Sequence, residues 1–430
     1  MDPCFFFNYH YSALGALLRA PLGGFVFSKQ IKVGATVWVA VLSLLLVSSD
    51  VILSAQTLTV LHTFDGSHGQ YPNAPLIRDS AGNLYGTTAY GSAGYGTIFK
   101  LDKAGDYTVL YSFAGSPSDG SYPEGGLLRD KNGDFYGTTW QGGATNGGTI
   151  FKLDSSGDET VLYNFVLNSS DGMWPYAGLI DDAKGNLYGT TSAGGTGGGG
   201  IVFELENTGA EDVLFNFDGN LGNGTFPGGG SLLRGNGRLY GTTSSGGSSN
   251  LGTVFALHKS KIANVIDFAG AEGEFPFGGL IKDSAGNFYG TTQYGGDLSC
   301  HAESSGCGTV FKLDANGNET VLYSFLGTPD GDDVIAGLVS DKIGNLYGVT
   351  AYGGTGSCQN TPYEGCGTIF EIDPTGKETV LYNFTGGADG KYPYGGLIRD
   401  SKGNLYGTVA EGGGKGCGGS GCGAVFVLKP

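Results

Sequence analysis

The sequence predicts an all-β fold, a seven-bladed β-propeller made of four-stranded antiparallel blades. Three observations predict it: a tandem repeat of about fifty residues, four strand-like segments per repeat, and complementary ends of the repeat array. The repeat is marked by the string Tyr-Gly-Thr or a close variant, which begins at Tyr85, Tyr136, Tyr188, Tyr240, Tyr289, Tyr347 and Tyr406. Seven markers indicate seven units.

Each unit contains four short apolar segments of strand length. In the second unit they are Gly126 to Asp130, Asp134 to Thr139, Gly148 to Asp154 and Thr160 to Phe165. Turn sequences of the type Asp-x-x-Gly separate them. The chain has 83 glycines and only 15% charged residues, which suits strands and turns rather than helices. Four antiparallel strands in a unit of this length form one propeller blade.

The ends of the array predict how the propeller closes. The first segment, residues 57–64, has the pattern of a fourth strand, and the last, residues 423–428, that of a third strand. We therefore expect 57–64 to pair with 423–428 and complete the last blade, which leaves no strand edge unpaired. A linear β-solenoid is the alternative fold, but it needs a cap at each end rather than two parts of one unit.

The first 55 residues differ in kind from the rest. Lysines precede an apolar run from Val33 to Val47, and Asp50 follows that run. This layout predicts a secretory signal peptide cleaved near Ala55 rather than a retained transmembrane anchor, because the apolar run is short. The predicted organisation is a leader over residues 1–55 and a propeller over residues 56–430. The propeller is then extracellular, on the cell surface or periplasmic.

Six of the seven cysteines form three close pairs within the repeats. Each pair lies between the Tyr-Gly-Thr segment and the next apolar segment: Cys300 with Cys307, Cys358 with Cys366, and Cys417 with Cys422. We expect each pair to form a disulfide in an oxidising compartment, in agreement with export. Zinc is the alternative, but it needs four ligands, and only His301 lies nearby in sequence. No cofactor is expected.

Charge and motifs limit the function classes. The formal net charge is −17, which repels phosphate backbones and anionic membranes, so nucleic acid is excluded as a partner. A monomer is expected. The chain has no Gly-x-Ser-x-Gly or comparable nucleophile motif, so no catalytic residue is assigned.

The repeat itself resembles a known family. Its unit consists of N-L-Y-G-T-T, a Gly-rich loop, G-T-I-F-K-L-D and T-V-L-Y-S-F. This resembles the GloVer tandem repeat of exported bacterial proteins over essentially all of residues 57–430. The Gly-Leu-x-x-Asp-x-x-Gly-Asn-Leu-Tyr portion is also similar to the first two strands of NHL-type propellers. The GloVer family is defined by its repeat rather than by an activity, so the resemblance implies export and transfers no catalytic residue.

Aromatic residues are concentrated where two kinds of loop emerge on one face of the propeller. Six blade-to-blade connections carry an aromatic residue followed by proline, beginning at Tyr71, Tyr122, Trp174, Phe226, Phe275 and Tyr392. Aromatic platforms suit sugars and protein partners, and the candidate binding residues are Tyr90, Trp140, Trp174, Tyr294 and Tyr352. The alternative is that the aromatic-proline pairs only wedge neighbouring blades together.

The sixth unit breaks this pattern, with Asp333 and Val334 in place of the aromatic residue and proline. Asp330, Asp332 and Asp333 are therefore candidate ligands for a hard cation such as calcium, with a solvated loop as the alternative. The leading hypothesis is an exported, non-catalytic module that binds carbohydrate or protein through its loop face. The alternative is an extracellular glycan-active hydrolase or lyase that uses carboxylates at the mouth of the central channel.

Overall fold

The structure is a computed structural model that describes residues 56–430, apart from 92, 168–169, 219–220, 301–304, 361–362 and 415. The predicted leader lies outside the described residues and stays a prediction. The described chain is all-β, and seven antiparallel sheets, each with four blade strands, form a seven-bladed β-propeller as predicted. No helix in this part of the chain is long and apolar enough to cross a membrane.

The four strands of each blade are lettered A to D. Strand A is short and spans Ile77–Arg78, Leu128–Arg129, Ile180–Asp181, Leu233–Gly235, Ile281–Lys282, Val339–Ser340 and Leu397–Arg399 in blades 1 to 7. Strand B carries the Tyr-Gly-Thr string and spans Leu84–Thr88, Phe135–Thr139, Leu187–Thr191, Arg238–Ser245, Phe288–Thr292, Leu346–Thr350 and Leu405–Val409.

Strand C lies in the middle of each sheet and spans Thr97–Leu101, Thr149–Leu153, Ile201–Leu205, Thr253–His258, Thr309–Leu313, Thr368–Ile372 and Ala424–Lys429. Strand D is outermost and spans Tyr107–Ser112, Glu159–Asn164, Glu211–Asn216, Lys261–Asp267, Glu319–Ser324, Glu378–Asn383 and, in blade 7, Thr57–Thr63. The short elements between blade strands are Gly120–Ser121, Gln141–Gly142, Gly172–Met173, Ala193–Gly194, Thr225–Pro227, Gln359–Asn360, Tyr363–Glu364 and the 3-10 helices Leu221–Asn223 and Cys417–Gly419.

The propeller closes by pairing its first described strand with its last. Thr57–Thr63 runs antiparallel to Ala424–Lys429, with Thr57 opposite Lys429 and Thr63 opposite Ala424. The predicted closure is confirmed, and the strand ends fall within one residue of the predicted ones. Blade 7 therefore has the same four strands as the other blades, and the outer edge of its strand C is paired.

A pair of phenylalanines joins every two neighbouring blades. One ring follows strand D of a blade, and the other lies in the middle of strand C of the next blade. The two rings meet edge to face with centroids 5.0 to 5.4 Å apart at all seven junctions: Phe64–Phe99, Phe113–Phe151, Phe165–Phe203, Phe217–Phe255, Phe268–Phe311, Phe325–Phe370 and Phe384–Phe426. All these rings are buried, and an edge-to-face contact adds about 0.5–1.5 kcal/mol to the burial itself.

The repeated Tyr-Gly-Thr string is explained by packing. A Cβ atom on Gly137 would lie 2.6 Å from Cζ of Phe151, so only glycine leaves room for that ring. Two residues later, the hydroxyl of Thr139 lies 2.8 Å from the hydroxyl of Thr149 on strand C. The most regular residues of the chain therefore build the blades.

The glycine pairs before strand A lie where the blades converge on the axis, as expected. A Cβ atom on Gly125 would lie 2.8 Å from the backbone of Ala177 in the next blade. A Cβ atom on Gly278 would lie 2.8 Å from the backbone of Ala336, again in the next blade. These close approaches place the backbone segments before strand A in a tight ring around the axis.

The outer edges of neighbouring blades meet at seams that hold carboxyl groups. At the seam between blades 1 and 2, the hydroxyl of Tyr111 donates to Asp119 at 2.9 Å and lies 3.5 Å from Glu159. Burial, reinforced by the nearby Asp119, raises the pKa of Glu159 to about 7. Half-buried glutamates with pKa values also raised to about 7 lie in strand D of three further blades, at Glu211, Glu319 and Glu378.

Candidate functional site

The loops between strands B and C and the connections from strand D to the next blade share one side of the propeller, here called the loop face. The two groups of loops are paired through their backbones. Gln70 forms a bridge with Tyr90 in blade 1, and Gly120–Ser121 pairs with Gln141–Gly142 in blade 2. The predicted placement of both loop types on one face is confirmed.

A left-handed backbone conformation marks the same position in all seven connections. The φ angles lie between 53° and 63° at Tyr71, Tyr122, Trp174, Phe226, Phe275, Asp333 and Tyr392. This conformation costs a non-glycine residue about 1–2 kcal/mol, so the surrounding contacts must stabilise it.

Blade 2 shows what stabilises this conformation. The N–H of Tyr122 donates to the carbonyl of Tyr95 in blade 1, and its own carbonyl accepts from Trp140 in blade 2, both at 2.9 Å. The following Pro123 packs so closely on blade 1 that a Cβ atom on Gly96 would lie 2.5 Å from its Cδ. The backbone of Tyr122 and the ring of Pro123 therefore hold blades 1 and 2 together.

Five aromatic rings form a continuous row on the loop face of blades 1 to 3, here called the aromatic arc. Successive ring centroids are 5.8, 5.1, 6.3 and 6.3 Å apart along Tyr71, Tyr90, Tyr122, Trp140 and Trp174. All five side chains are half-buried, so each keeps part of its ring exposed. The structure thus brings the candidates Tyr90, Trp140 and Trp174 together.

The other two aromatic candidates lie on the opposite half of the loop face. Tyr294 in blade 5 is half-buried and contacts Phe275 with centroids 5.9 Å apart. Tyr352 in blade 6 is buried against Tyr392, and its hydroxyl shares a 2.8 Å hydrogen bond with that of Tyr394. Tyr352 therefore presents much less surface to a ligand than the rings of the arc do.

Disulfides close the B–C loops of blades 5, 6 and 7 at the predicted pairs. Cα atoms are 5.8 Å apart for Cys300–Cys307, 5.1 Å for Cys358–Cys366 and 5.3 Å for Cys417–Cys422, all within the normal disulfide range. The three predicted bridges are confirmed.

One residue per blade lines the loop-face end of the central axis, a ring of positions here called the channel mouth. It directly follows the wedge proline, or Val334 in blade 6: Asn73, Glu124, Tyr176, Gly228, Phe277, Ile335 and Tyr394. Contacts across blades show that these side chains converge. The ring of Tyr176 in blade 3 reaches that of Phe277 in blade 5, with centroids 5.4 Å apart, over the glycine of blade 4.

Glu124 and Asn73 form the polar part of the channel mouth. Nδ2 of Asn73 donates to Oε2 of Glu124 across the junction of blades 1 and 2, at 3.1 Å. Only 8% of the Glu124 surface is exposed, and this burial raises the pKa of its carboxyl to about 7, although the bond from Asn73 opposes the shift. A carboxyl with this pKa exchanges a proton near neutral pH, so it both donates and accepts hydrogen bonds there.

The three acidic candidates of blade 6 point to different partners. Asp330 accepts from the hydroxyl of Tyr323 at 2.6 Å and from the N–H of Leu326 at 3.1 Å, and so forms part of an outer seam. Asp332 lies beside Cys300 and Cys307, whose sulfurs are already joined in a disulfide. Within the described residues, the three carboxylates do not gather into one cation site.

Asp333 is buried in the position that an aromatic residue takes in the other blades. Burial, followed by the charge of Asp332, raises the pKa of Asp333 well above its usual range. The residue that breaks the sequence pattern in blade 6 is thus a buried carboxyl whose pKa is raised, as that of Glu124 is.

The fold defines a seven-bladed β-propeller whose loop face carries a row of aromatic rings in blades 1 to 3. The chain belongs to the Gloeobacter/Verrucomicrobia repeat family, whose model matches residues 50–255, 167–358 and 220–426 in three overlapping segments. This confirms the resemblance noted from the repeat unit. No curated protein matches the sequence.

Solved structures show the same fold at low identity. Virginiamycin B lyase from Staphylococcus aureus is 13% identical, with a TM-score of 0.57 over 87% of this chain and 99% of the lyase. The extracellular domain of BT3049 from B. thetaiotaomicron is 14% identical, with a TM-score of 0.53 over 87% of this chain and 41% of that one. At such identities the likeness shows the fold alone.

Sequence reasoning missed Asn73 and Glu124. The signal was present, since the position after the wedge proline holds an aromatic residue or glycine in four other units and isoleucine in blade 6. A polar residue at that position departs from the pattern only in blades 1 and 2. Their contact joins residues far apart in sequence, so the strand pattern alone does not reveal it.

Proposed function

We propose that this protein is an exported binding module that recognises a neutral carbohydrate through the aromatic arc. The observation that carries the proposal is the unbroken row of five half-buried rings across blades 1 to 3. Tyrosine and tryptophan combine a flat apolar surface with a polar group, and the two faces of a sugar ring offer the matching combination. A row of rings provides several such platforms for successive sugars of one chain.

Charge favours a neutral glycan over an anionic one. The net charge of −17 repels uronic acids, sulfated sugars and phosphate groups. Export is supported by the predicted leader, by three disulfides and by membership of a repeat family of exported proteins.

Binding to neutral hexasaccharides tests the proposal. Purified protein expressed from the full-length chain is titrated with cello-, xylo-, manno- and malto-hexaose, and released reducing ends are assayed in the same samples. We expect at least one hexasaccharide to bind with no release of reducing ends. Trp140→Ala and Tyr90→Ala should weaken binding, and neither residue has the left-handed backbone that would complicate the substitution. Absence of binding to all four sugars would refute the proposal.

A control variant is provided by Ile343→Ala. Ile343 is 75% exposed and lies in the turn between strands A and B of blade 6, on the face opposite the loop face. Removing this apolar side chain should leave sugar binding unchanged, which separates a specific role of the arc from general hydrophobic adsorption.

The second candidate function is a glycan-active hydrolase or lyase, and Glu124 is the observation that favours it. A buried carboxyl with a pKa near 7 suits a general acid or base, and it lies at the channel mouth. Reducing ends released by the wild-type protein but not by Glu124→Gln, with the hexasaccharide still bound, would establish this function instead.

A further inference from the structure

The channel mouth is polar on one side and apolar on the other. Asn73 and Glu124 occupy it in blades 1 and 2, whereas Tyr176, Phe277 and Tyr394 contribute aromatic rings from blades 3, 5 and 7. The polar side belongs to the same blades as the aromatic arc.

The polar side contains hydrogen-bonding capacity that the protein itself does not use. Oδ1 of Asn73 is buried, and no described residue donates a hydrogen bond to it. Leaving a buried polar atom unpaired costs about 1–3 kcal/mol, so such atoms call for an explanation. The neighbouring carboxyl of Glu124 is more than nine-tenths buried and is held by the amide of Asn73. An amide oxygen that lacks a donor beside a proton-bearing carboxyl fits a hydroxyl group, which both donates and accepts.

We propose that Asn73 and Glu124 form a subsite that hydrogen-bonds the hydroxyl groups of a sugar residue at the channel mouth, at the inner end of the aromatic arc. The inference rests on the proposed function and adds to it the residues that read the sugar hydroxyls. One sugar hydroxyl donates the hydrogen bond that Asn73 Oδ1 lacks, and the carboxyl of Glu124 forms a hydrogen bond with a second hydroxyl. Tyr176 and Tyr394 occupy the equivalent positions in blades 3 and 7.

The subsite works best with the neutral carboxyl. In its protonated form Glu124 donates to a sugar oxygen, and ionisation removes that donor and places an unpaired charge in the enclosed mouth. No charged side chain of the described residues contributes to the shift of its pKa, which arises from burial. Binding to wild-type protein should therefore weaken as the pH rises through about 7.

The experiment titrates wild-type protein, Glu124→Gln, Glu124→Leu and Asn73→Ala with the best-bound of the four neutral hexasaccharides at pH 5.5 and pH 8. Wild-type affinity should fall several-fold between the two pH values. Glu124→Gln keeps a neutral hydrogen-bonding group, so its affinity should stay the same at both. Glu124→Leu and Asn73→Ala should each bind about tenfold more weakly at pH 5.5, the effect of one or two lost hydrogen bonds.

A matched control comes from Glu378→Gln. Glu378 is a half-buried glutamate whose pKa is also raised to about 7, but it lies on the outer strand of blade 6, away from the axis. Its pH profile of binding should equal that of wild type. Thermal unfolding of each variant shows which proteins are folded. If Glu124→Leu is not folded, the test rests on Glu124→Gln, because glutamine is closest in shape to glutamate.

The outcomes separate this inference from the proposed function. If Trp140→Ala weakens binding while the Glu124 and Asn73 variants bind like wild type at both pH values, sugar binding by the aromatic arc is supported and the subsite is refuted. If wild-type protein binds none of the hexasaccharides, the proposed function fails and the subsite fails with it. A pH profile that persists in Glu124→Gln would also refute the subsite, because the titrating group would then be another one.

Discussion

The loop faces of blades 1 to 3 and blades 5 to 7 use aromatic residues in different ways. In the first half, the five rings of the arc lie side by side and each stays half-buried. In the second half, Tyr352 is buried between Tyr392 and Tyr394, and Cys358 of a disulfide-closed loop packs on the same cluster. Similar blade scaffolds thus carry a row of half-buried rings in blades 1 to 3 and, in blades 6 and 7, a cluster in which the rings of Tyr352 and Tyr392 are buried.

The difference lies in the loops and not in the blades. The phenylalanine pair at the junction of blades 1 and 2 has ring centroids 5.1 Å apart, and the pair at the junction of blades 5 and 6 has them 5.0 Å apart. Only the B–C loops of blades 5 to 7 contain disulfides among the described residues. On a scaffold built from repeats, we therefore look for ligand-binding residues in the loops that differ from one repeat to the next.

The largest expected effect tests whether the two halves share one core. Phe151→Ala in blade 2 and Phe370→Ala in blade 6 each remove a fully buried ring, and each should lower the free energy of unfolding by about 3–5 kcal/mol. Urea unfolding of both variants measures this. A cost in one half only would show that the halves differ in their cores as well as in their loops.

The next effect concerns the disulfides that distinguish the second half. Replacing both Cys358 and Cys366 with alanine opens a short loop and should cost about 2 kcal/mol. Sugar binding by the arc should stay unchanged, because the bridge lies in blade 6. A comparable loss of binding would mean that the two halves act as one site.

A smaller effect compares one ring from each half. Trp140→Ala should weaken hexasaccharide binding about fivefold, since it removes one stacking platform worth about 1 kcal/mol. Tyr352→Ala should instead lower the unfolding temperature with little change in affinity, because its ring is buried and its hydroxyl is bonded to Tyr394. The reverse result would move the binding surface to blades 5 to 7.

The smallest expected effect is a pH dependence that both halves share. Burial raises the pKa of Glu159 and Glu378 from 4.5 to about 7 in the folded protein, and a nearby aspartate adds to each shift. Because the folded state holds these protons more tightly, the stability that these two glutamates contribute is fully present below about pH 4.5 and is lost as the pH rises through about 7. Thermal unfolding between pH 4.5 and pH 8 measures the decline.

The matched variant for that pH dependence is Glu159→Gln combined with Glu378→Gln. Glutamine mimics the protonated acid, so the unfolding temperature should change less with pH than in wild type. Turn aspartates such as Asp79 act in a separate range, since hydrogen bonds lower the pKa of Asp79 and its contribution is lost only as the pH falls below 3.8. An equal decline in the double variant would assign the effect to other groups.

Most of the fold could be predicted, because the sequence pattern of each repeat indicates which segments form its strands. The Tyr-Gly-Thr string and the complementary ends of the array predicted the number of blades and the closure, and each is a pattern that a few consecutive residues show. The left-handed backbone of residues such as Tyr122 could not be predicted, because it is held by hydrogen bonds to two different blades.

The candidate site was only partly predictable for a related reason. Tyr90, Trp140 and Trp174 were predicted as binding candidates from the sequence, and the structure places them in one row. The burial of Tyr352 depends on which neighbours its blade has, and the Asn73–Glu124 bond depends on the convergence of two blades at the axis. Such contacts between repeats leave no periodic signal in the chain.

The pairing of Thr57–Thr63 with Ala424–Lys429 has a consequence for how the molecule is made. During synthesis Thr57–Thr63 emerges long before Ala424–Lys429 has been made. The backbone hydrogen-bonding groups on the edge of the first strand stay unpaired until then. Bringing the two together is the longest-range step in the fold and therefore a slow one. The ring of blades therefore stays open until Ala424–Lys429 has been synthesised and pairs with Thr57–Thr63.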